Sequence, residues 1–203
     1  MNTIRSICVY CGSSLGADPA YEAAGHTLGK AIAQAGLRLI YGGGTKGVMG
    51  AVSEGALRAG GKVTGIIPRF LISKEATHAA LQRLDELSVT ETMHERKHIM
   101  FEKSDAFVAL PGGIGTVEEI VEIMTWGQLG HHRKPMIFGN IKGFWDPMLL
   151  MIDHMRREGF IHTGHLVQPT VVDTAEAIVP AILTQSARDN TPAEGEKAII
   201  DRM

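Results

Sequence analysis

Short apolar segments alternate with helix-like segments along most of this chain, and the alternation restricts its fold more than any other feature. Runs such as Ser6–Tyr10 and residues 106–110 are rich in strand formers, and each is followed by a glycine-containing turn. Helix signals come next, as at Asp18 and Pro19, a predicted N-cap followed by a proline in the first turn. This order predicts βαβ units, and therefore an α/β fold with a parallel sheet and helices on both faces.

The alternating pattern predicts one domain over residues 1–185. The whole chain has 203 residues, which suits a single domain better than two. Residues 186–203 are polar, and we expect them to form a flexible C-terminal tail. Two helices are also predicted, a short one over residues 76–83 and a longer one over residues 145–157. The longer helix carries a methionine stripe expected to fill the core: Met148, Met151 and Met155.

Charge and composition exclude several classes of protein. Lys and Arg total 20 against 22 for Asp and Glu, so the formal charge is -2 and nucleic acid is not an expected partner. No run of apolar residues approaches the roughly eighteen that cross a bilayer, so no membrane contact is expected. The N-terminal residues lack the apolar core of a signal peptide, and the two cysteines cannot form a disulfide framework. We therefore expect a cytoplasmic protein.

A C-x-x-C motif, Cys8 to Cys11, lies in the first predicted strand and at its end. A redox pair is expected at a helix N-terminus, where the thiol pKa falls. Strand alternation places these two side chains on opposite faces. We therefore interpret them as structural cysteines.

An H-E-x-x-H motif, His94 to His98, lies on a predicted helix and has the spacing of a zinc site. The two residues between Glu95 and His98 are both cationic, which opposes metal binding. Glu95 also lies three residues after Thr92, the spacing of a capping box. A third ligand could come from Glu119 or His131, but we predict no metal site.

Three glycine-rich turns follow the strands that end at Tyr10, at Tyr41 and at residue 110. The second turn, residues 42–47, reads G-x-G-x-x-G, but the following strand ends in Ile67-Pro68-Arg69 without the acid that binds a ribose of NAD. The order Thr-Lys-Gly also excludes a P-loop. This turn is nevertheless a candidate for one phosphate or nucleoside, with Gly43 and Gly44 as the contacts.

The third turn leads into the string Pro111-Gly112-Gly113-Ile114-Gly115-Thr116-Val117-Glu118-Glu119. Backbone N–H groups, the Thr116 hydroxyl and the helix dipole can together bind a phosphate. Thr116-x-x-Glu119 has capping-box spacing too, so Glu119 has a purely structural interpretation. Helical periodicity also puts Glu119 in the apolar row of Ile123 and Trp126, which favours a functional role beside the phosphate.

Arg96 shares a helical row with Met93 and Met100. A guanidinium stays charged, so an arginine in an apolar row of a helix needs an anion or other hydrogen-bond acceptors. Glu119 and an anionic ligand are the candidate partners. There are two alternatives to a functional role. Arg96 could form a purely structural salt bridge, or its side chain could extend past apolar neighbours to reach solvent.

Taken together, these strings resemble the LONELY GUY (LOG) family, and the resemblance covers about residues 5 to 180. It is carried by five strings: Tyr10-Cys11-Gly12-Ser13-Ser14; Tyr41-Gly42-Gly43-Gly44-x-x-Gly47-x-Met49-Gly50; Met93-His94-Glu95-Arg96-Lys97; Pro111-Gly112-Gly113-x-Gly115-Thr116-x-x-Glu119; and Thr125-Trp126-x-Gln128-Leu129-Gly130-x-His132-x-Lys134-Pro135. Members are cytokinin riboside 5′-monophosphate phosphoribohydrolases with a Rossmann-like fold. They usually form dimers or larger assemblies, and many carry the older label "possible lysine decarboxylase".

The resemblance implies a role for each matched position. It implies that Arg96 and Glu119 are the catalytic pair. It assigns the 5′-phosphate to Gly112, Gly113, Gly115 and Thr116. The remaining expected contacts with the nucleotide are Gly12, Ser13, Met93 and Lys97. It further implies a homodimer or larger homo-oligomer.

Two other functions have sequence features to be weighed. A nucleotide carrier of the same fold needs the glycine loop but not both Arg96 and Glu119. A lysine decarboxylase of the usual kind needs pyridoxal phosphate on a lysine, and the lysines near the glycine loops are Lys46 and Lys97. Neither has an evident aspartate partner for the cofactor's ring, so we expect no cofactor.

Overall fold

Seven parallel strands form one sheet in the computed structural model, which describes residues 3–161 and 169–189. Their order across the sheet is β4-β3-β2-β1-β5-β6-β7, and every neighbouring pair is parallel. The strands are β1 (Ser6–Tyr10), β2 (Arg38–Tyr41), β3 (Lys62–Pro68), β4 (Glu86–Thr90), β5 (Ala106–Ala109), β6 (Met136–Gly139) and β7 (Thr170–Val172). The predicted α/β fold with a parallel, Rossmann-like sheet is confirmed.

Helices connect the strands. They are α1 (Pro19–Gln34), α2 (Gly47–Arg58), α3 (Arg69–Glu75), α4 (His78–Leu81), α5 (Met93–Glu102), α6 (Ile114–Gln128), α7 (Asp146–Arg157) and α8 (Ile178–Asp189), with 3₁₀ turns at Ile141–Gly143 and Ala175–Ala177. The predicted N-cap is confirmed, because the Asp18 carboxylate accepts a hydrogen bond from the Ala20 N–H. The sequence did not predict α3, and the predicted helix over residues 76–83 is shortened to α4.

The sheet separates two apolar clusters, and alternation along β1 assigns side chains to each. Ile7, Val9 and Cys11 lie in the cluster that packs against α1 and α2, whereas Cys8 and Tyr10 lie in the cluster on the other face. The two cysteines are therefore on opposite faces, as predicted, and both are free thiols. Burial raises the pKa of the Cys8 thiol to about 12, so it has no thiolate character near neutral pH.

The methionine stripe on α7 is only partly a core feature, so this prediction was wrong for Met151. Met148 packs against the cluster around Trp145, but Met151 is 59% exposed. The prediction failed because α7 buries only a narrow face. Ile152 lies on that face, and Met151 lies outside it.

At the C-terminus, α8 continues to Asp189, past the boundary predicted at residue 185, and Ser186 is buried. Residues 190–203 lie outside the described residues, so the division into a domain and a tail stays a prediction. Across the described ranges, no helix has both the length and the apolar character needed to cross a bilayer.

Candidate functional site

The candidate site lies at the carboxyl ends of β1 and β5, where the strand order reverses. From β1 the chain proceeds through β2, β3 and β4 on one side, and β5 then pairs with β1 on the other. Such a reversal opens a crevice between the loops that leave the two strands. The loops touch here, since the Gly12 N–H donates to the Pro111 carbonyl over 3.0 Å.

A cleft of about 320 Å³ opens beside this contact. Of the predicted site residues, the following line it: Gly12, Ser13, Met93, Arg96, Gly113, Gly115, Thr116 and Glu119. The structure thus brings together residues that are more than one hundred positions apart in the chain. Gly112, from the same loop, is not among the lining residues and borders a neighbouring cavity of about 230 Å³.

The N-terminus of α6 opens into this cleft without a side-chain cap. The helix begins at Ile114 after the N-cap Gly113, and the first N–H to find a helical partner is that of Val117, which donates to the Gly113 carbonyl. The N–H groups of the first turn are therefore available to an anion. A Cβ at Gly112 would lie 2.1 Å from the Thr116 Oγ1, so only glycine lets this turn close.

The capping-box interpretation of Thr116 and Glu119 was wrong. Thr116 lies inside the first turn of α6 rather than at its N-cap, so the Glu119 side chain has no cap N–H to reach. The helix starts earlier than predicted because Gly113 adopts the extended N-cap backbone itself. The predicted apolar row is confirmed, with Glu119 and Ile123 both buried.

The second glycine turn offers no such opening. Two of the N–H groups in the first turn of α2 are occupied, since that of Val48 donates to the Ser14 carbonyl over 3.4 Å and that of Met49 to the Gly12 carbonyl over 3.1 Å. A Cβ on Gly43 would lie 2.8 Å from the Ile67 Cβ, so this glycine allows the loop to pack on β3. Gly43 and Gly44 are not among the described residues that line the cleft, contrary to the sequence-based expectation.

Arg96 enters the cleft from the first turns of α5, which a capping box holds in place. The Thr92 hydroxyl accepts from the Glu95 N–H, and the Glu95 carboxylate accepts from the Thr92 N–H. Glu95 of the H-E-x-x-H motif is thus used as a cap, and His94 and His98 are exposed. In the part of the chain that the structure describes, no three His, Cys, Asp or Glu side chains cluster to hold a metal.

The Arg96 guanidinium is buried and bonded to two other elements. Its exposed fraction is 6%, its Nη1 donates to the Glu119 Oε1 over 2.9 Å, and its Nε donates to the Ile66 carbonyl over 3.2 Å. Of the two partners predicted for this arginine, Glu119 is confirmed, and the anionic ligand stays a prediction. The alternative of a side chain that reaches solvent is wrong.

Burial raises the pKa of the Glu119 carboxyl from 4.5 to about 7, although the Arg96 charge opposes the rise. The exposed fraction of Glu119 is 7%. Its Oε1 accepts from Arg96, while Oε2 has no hydrogen-bond donor among the described residues. A carboxyl poised near neutrality in the lining of a cleft, with one oxygen anchored and the other without a donor among the described residues, has the properties of a general acid or base.

Lys97 is not among the described residues that line the cleft. Its ammonium donates to the carboxylates of Glu118, over 2.5 Å, and Glu122, over 3.1 Å. Burial lowers its pKa, but the hydrogen bonds and the charges of the two carboxylates together outweigh burial, so the pKa rises. Lys97 therefore ties α5 to α6, and within this single chain it does not contact the cleft as the resemblance implied.

Several cleft residues were not found from the sequence. Helix α3 contributes Leu71 and Glu75, and the remaining ones are Cys11, Met49, Ile114 and Glu118. No residue of α3 is buried, so it lacks the apolar periodicity that identifies a helix. The Glu75 carbonyl accepts from the Thr45 N–H over 2.8 Å, and this bond ties α3 to the second glycine turn.

Comparisons with known proteins agree on one family. The family described as "Possible lysine decarboxylase" matches residues 49–182. The chain is 46% identical over 157 residues to the cytokinin riboside 5′-monophosphate phosphoribohydrolase LOG of Oryza sativa subsp. japonica, a match that spans 77% of this chain and 64% of that protein. It is 41% identical over 181 residues to the cytokinin riboside 5′-monophosphate phosphoribohydrolase of Rhodococcoides fascians, spanning 89% of this chain and 90% of that protein.

Solved structures with lower identity share the fold. The molybdenum cofactor binding protein of Rippkaea orientalis superposes with a TM-score of 0.65 at 23% identity, covering 90% of this chain and 97% of that one. This likeness concerns the sheet and its helices only.

Proposed function

The chain belongs to the LOG family of cytokinin riboside 5′-monophosphate phosphoribohydrolases, and on that premise we propose that it hydrolyses the N-glycosidic bond of these nucleotides and of AMP. The products are the free base and ribose 5-phosphate. The observation that carries the proposal is the buried Arg96–Glu119 ion pair beside the uncapped N-terminus of α6. A carrier of the same fold has no use for a buried carboxylate at that position, so the carrier alternative is not favoured.

The spacing along α6 suits a ribose 5-phosphate. Glu119 lies six positions after the N-cap Gly113, a rise of about 9 Å. A phosphate held by the first-turn N–H groups and the Thr116 hydroxyl therefore brings the ribose toward the Glu119 carboxylate. Binding energy from the phosphate is then used to position the anomeric carbon.

Glu119 has the chemistry for the bond-breaking step. When the base leaves, positive charge develops on the ribose, and a nearby carboxylate stabilises it and takes a proton from the attacking water. The pKa of about 7 keeps a substantial ionised fraction at neutral pH while making the carboxylate a stronger base than an ordinary glutamate. Arg96 holds Oε1, which leaves Oε2 to face the ribose.

The name "possible lysine decarboxylase" finds little support in the lysines of this site. A Schiff-base lysine must lose its proton to attack the cofactor's aldehyde. Lys97 instead bonds to two carboxylates that raise the pKa of its ammonium. This environment opposes Schiff-base formation at Lys97.

The test is to incubate the purified chain with AMP and with isopentenyladenosine monophosphate, and to measure free base and ribose 5-phosphate by chromatography. We expect wild type to release base and Glu119→Gln to be slower by about 10²–10⁴-fold. Arg96→Ala should lose activity similarly, because the carboxylate is then no longer oriented.

Glu122→Gln is the matched control. It makes the same change one turn further along α6, at a carboxylate that contacts Lys97 and not the cleft. We expect its activity to stay near that of wild type. Base release by Glu119→Gln at the wild-type rate would remove this residue from the mechanism, and no release from either nucleotide by wild type would reject the proposed activity.

Self-association is the second part of the proposal. Two adjacent apolar side chains of α7, Leu150 at 67% and Met151 at 59%, are exposed in the single chain. Exposed apolar patches on a soluble domain commonly mark contact surfaces. We expect sedimentation velocity to give a homodimer or larger homo-oligomer and Leu150→Glu to weaken it; a wild-type monomer at micromolar concentration would contradict this.

The cytoplasm is the proposed location. Cys8 and Cys11 are both unpaired, which suits a reducing compartment. Detection of the untagged protein in the periplasmic or secreted fraction of its own cells would contradict this part.

A further inference from the structure

The Arg96 guanidinium lies directly over Gly42, the first residue of the second glycine turn. A Cβ built on Gly42 would lie 1.9 Å from the Arg96 Nη2 and 3.1 Å from its Cζ. No real pair of atoms comes so close without a bond, so the arginine occupies the space that any side chain at position 42 would need. Met49 also borders the slot, since its Sδ would lie 3.3 Å from that Cβ.

The three nitrogens of this guanidinium have different surroundings. Nε donates to the Ile66 carbonyl at the end of β3, and Nη1 donates to the Glu119 Oε1 on α6. Nη2 has no acceptor among the described residues. It keeps some exposed surface, because it is absent from the fully buried polar atoms that lack a partner. Because Arg96 lines the cleft, its Nη2 is the nitrogen left for a bound ligand.

We propose that Gly42 is a positioning residue of the reaction: its missing side chain creates the slot in which Arg96 Nη2 lies, so that Nη1 orients Glu119 while Nη2 donates to the bound nucleotide. This inference rests on the proposed function. It also assigns the second glycine turn a task other than phosphate binding, since two N–H groups in the first turn of the following helix, those of Val48 and Met49, are occupied.

The test substitution is Gly42→Ala, which adds only the methyl group. The φ of Gly42 lies outside the left-handed region, so alanine fits its backbone. The atom that the new methyl group would overlap is Arg96 Nη2, at the end of a flexible side chain, so the fold can accept the methyl group if Arg96 moves. Misplacement by about 1 Å costs on the order of 10²-fold in rate, and we expect a loss of kcat/KM of that size for isopentenyladenosine monophosphate.

A pH profile separates positioning from a general structural effect. When Arg96 moves, Glu119 loses the cation that lowers its pKa, so the pH of half-maximal kcat/KM should rise in Gly42→Ala. Gly127→Ala is the control, since it adds a methyl to a buried glycine of α6 where the nearest atom, at 3.5 Å, is an ordinary contact. We expect its rate and pH profile to match wild type. Wild-type kinetics for Gly42→Ala would overturn the proposal.

A thermal unfolding cycle tests the same contact without relying on activity. Gly42→Ala should lower the unfolding midpoint of the wild-type chain but cause no further fall in Arg96→Ala, where the slot is empty. If Gly42→Ala alone fails to fold, folding of the double variant still supports the proposal, and failure of both overturns it. An equal fall in both backgrounds also overturns it. The cycle remains informative if wild type proves inactive, so failure of the proposed function is distinguished from failure of the slot.

Discussion

Glu119→Gln should change how the stability of the protein depends on pH, and the direction of the change reveals whether burial or Arg96 dominates at this carboxyl. Glutamine keeps the shape of the protonated side chain and never ionises. Wild type has a Glu119 pKa raised from 4.5 to about 7 by burial, against the opposing effect of Arg96. The groups that act on it electrostatically, Arg96, Glu118 and Lys97, are the same in both proteins.

The expected magnitude follows from that shift. Between pH 4.5 and about 7 the folded chain holds the Glu119 proton more tightly than the unfolded chain, so wild-type stability falls as the pH rises. At about 1.4 kcal/mol per pH unit, the fall totals about 3 kcal/mol. The contribution is fully present below pH 4.5 and is lost as the pH passes through 7. The variant lacks this pH-dependent contribution to the unfolding free energy, while all other titrating groups contribute to both proteins.

The assay is urea unfolding of both proteins at a series of pH values from 4 to 8. The unfolding free energy of wild type minus that of Glu119→Gln should decrease by about 3 kcal/mol and become level above pH 7. A difference that does not vary with pH would show that the carboxyl has an ordinary pKa. A difference that increases with pH would show that the Arg96 charge outweighs burial, and the general-base argument would lose its premise.

Three further substitutions test separate parts of the structure. Thr116→Val keeps the shape of the side chain but removes its hydroxyl from the first turn of α6, so we expect a higher KM for AMP with a smaller change in kcat; an unchanged KM would remove the hydroxyl from phosphate binding. Thr92→Ala removes the capping box of α5 and should lower the unfolding free energy by about 1 kcal/mol in urea titration, whereas no loss would contradict the cap. Gly43→Ala places a Cβ 2.8 Å from that of Ile67 at a φ of +77°, so its thermal midpoint should fall well below that of wild type, and an equal midpoint would refute the packing role.

Local patterns predicted the parts of this fold that depend on neighbouring residues. The strands β1 to β3 and β5 were predicted because they are short apolar runs bounded by glycine or proline. The start of α5 was predicted because its capping box spans only four consecutive residues. Helix α3 was missed because it has no such local pattern. Its side chains are not buried, so no apolar period marks it, and its bonds go to distant residues such as Thr45.

By itself, the sequence determined the alternation of strands and helices apart from α3, the parallel sheet and the identity of Arg96 and Glu119 as candidate partners, because these depend on periodicity, turn residues and short strings. Only the tertiary structure decided which glycine turn is open to a phosphate. Both turns precede a helix, but carbonyls of the first glycine turn accept from two N–H groups in the first turn of α2, whereas the first turn of α6 lines the cleft. It also decided the partner of Arg96 and the raised pKa of Glu119, since burial and charge at a point depend on elements that meet only after folding.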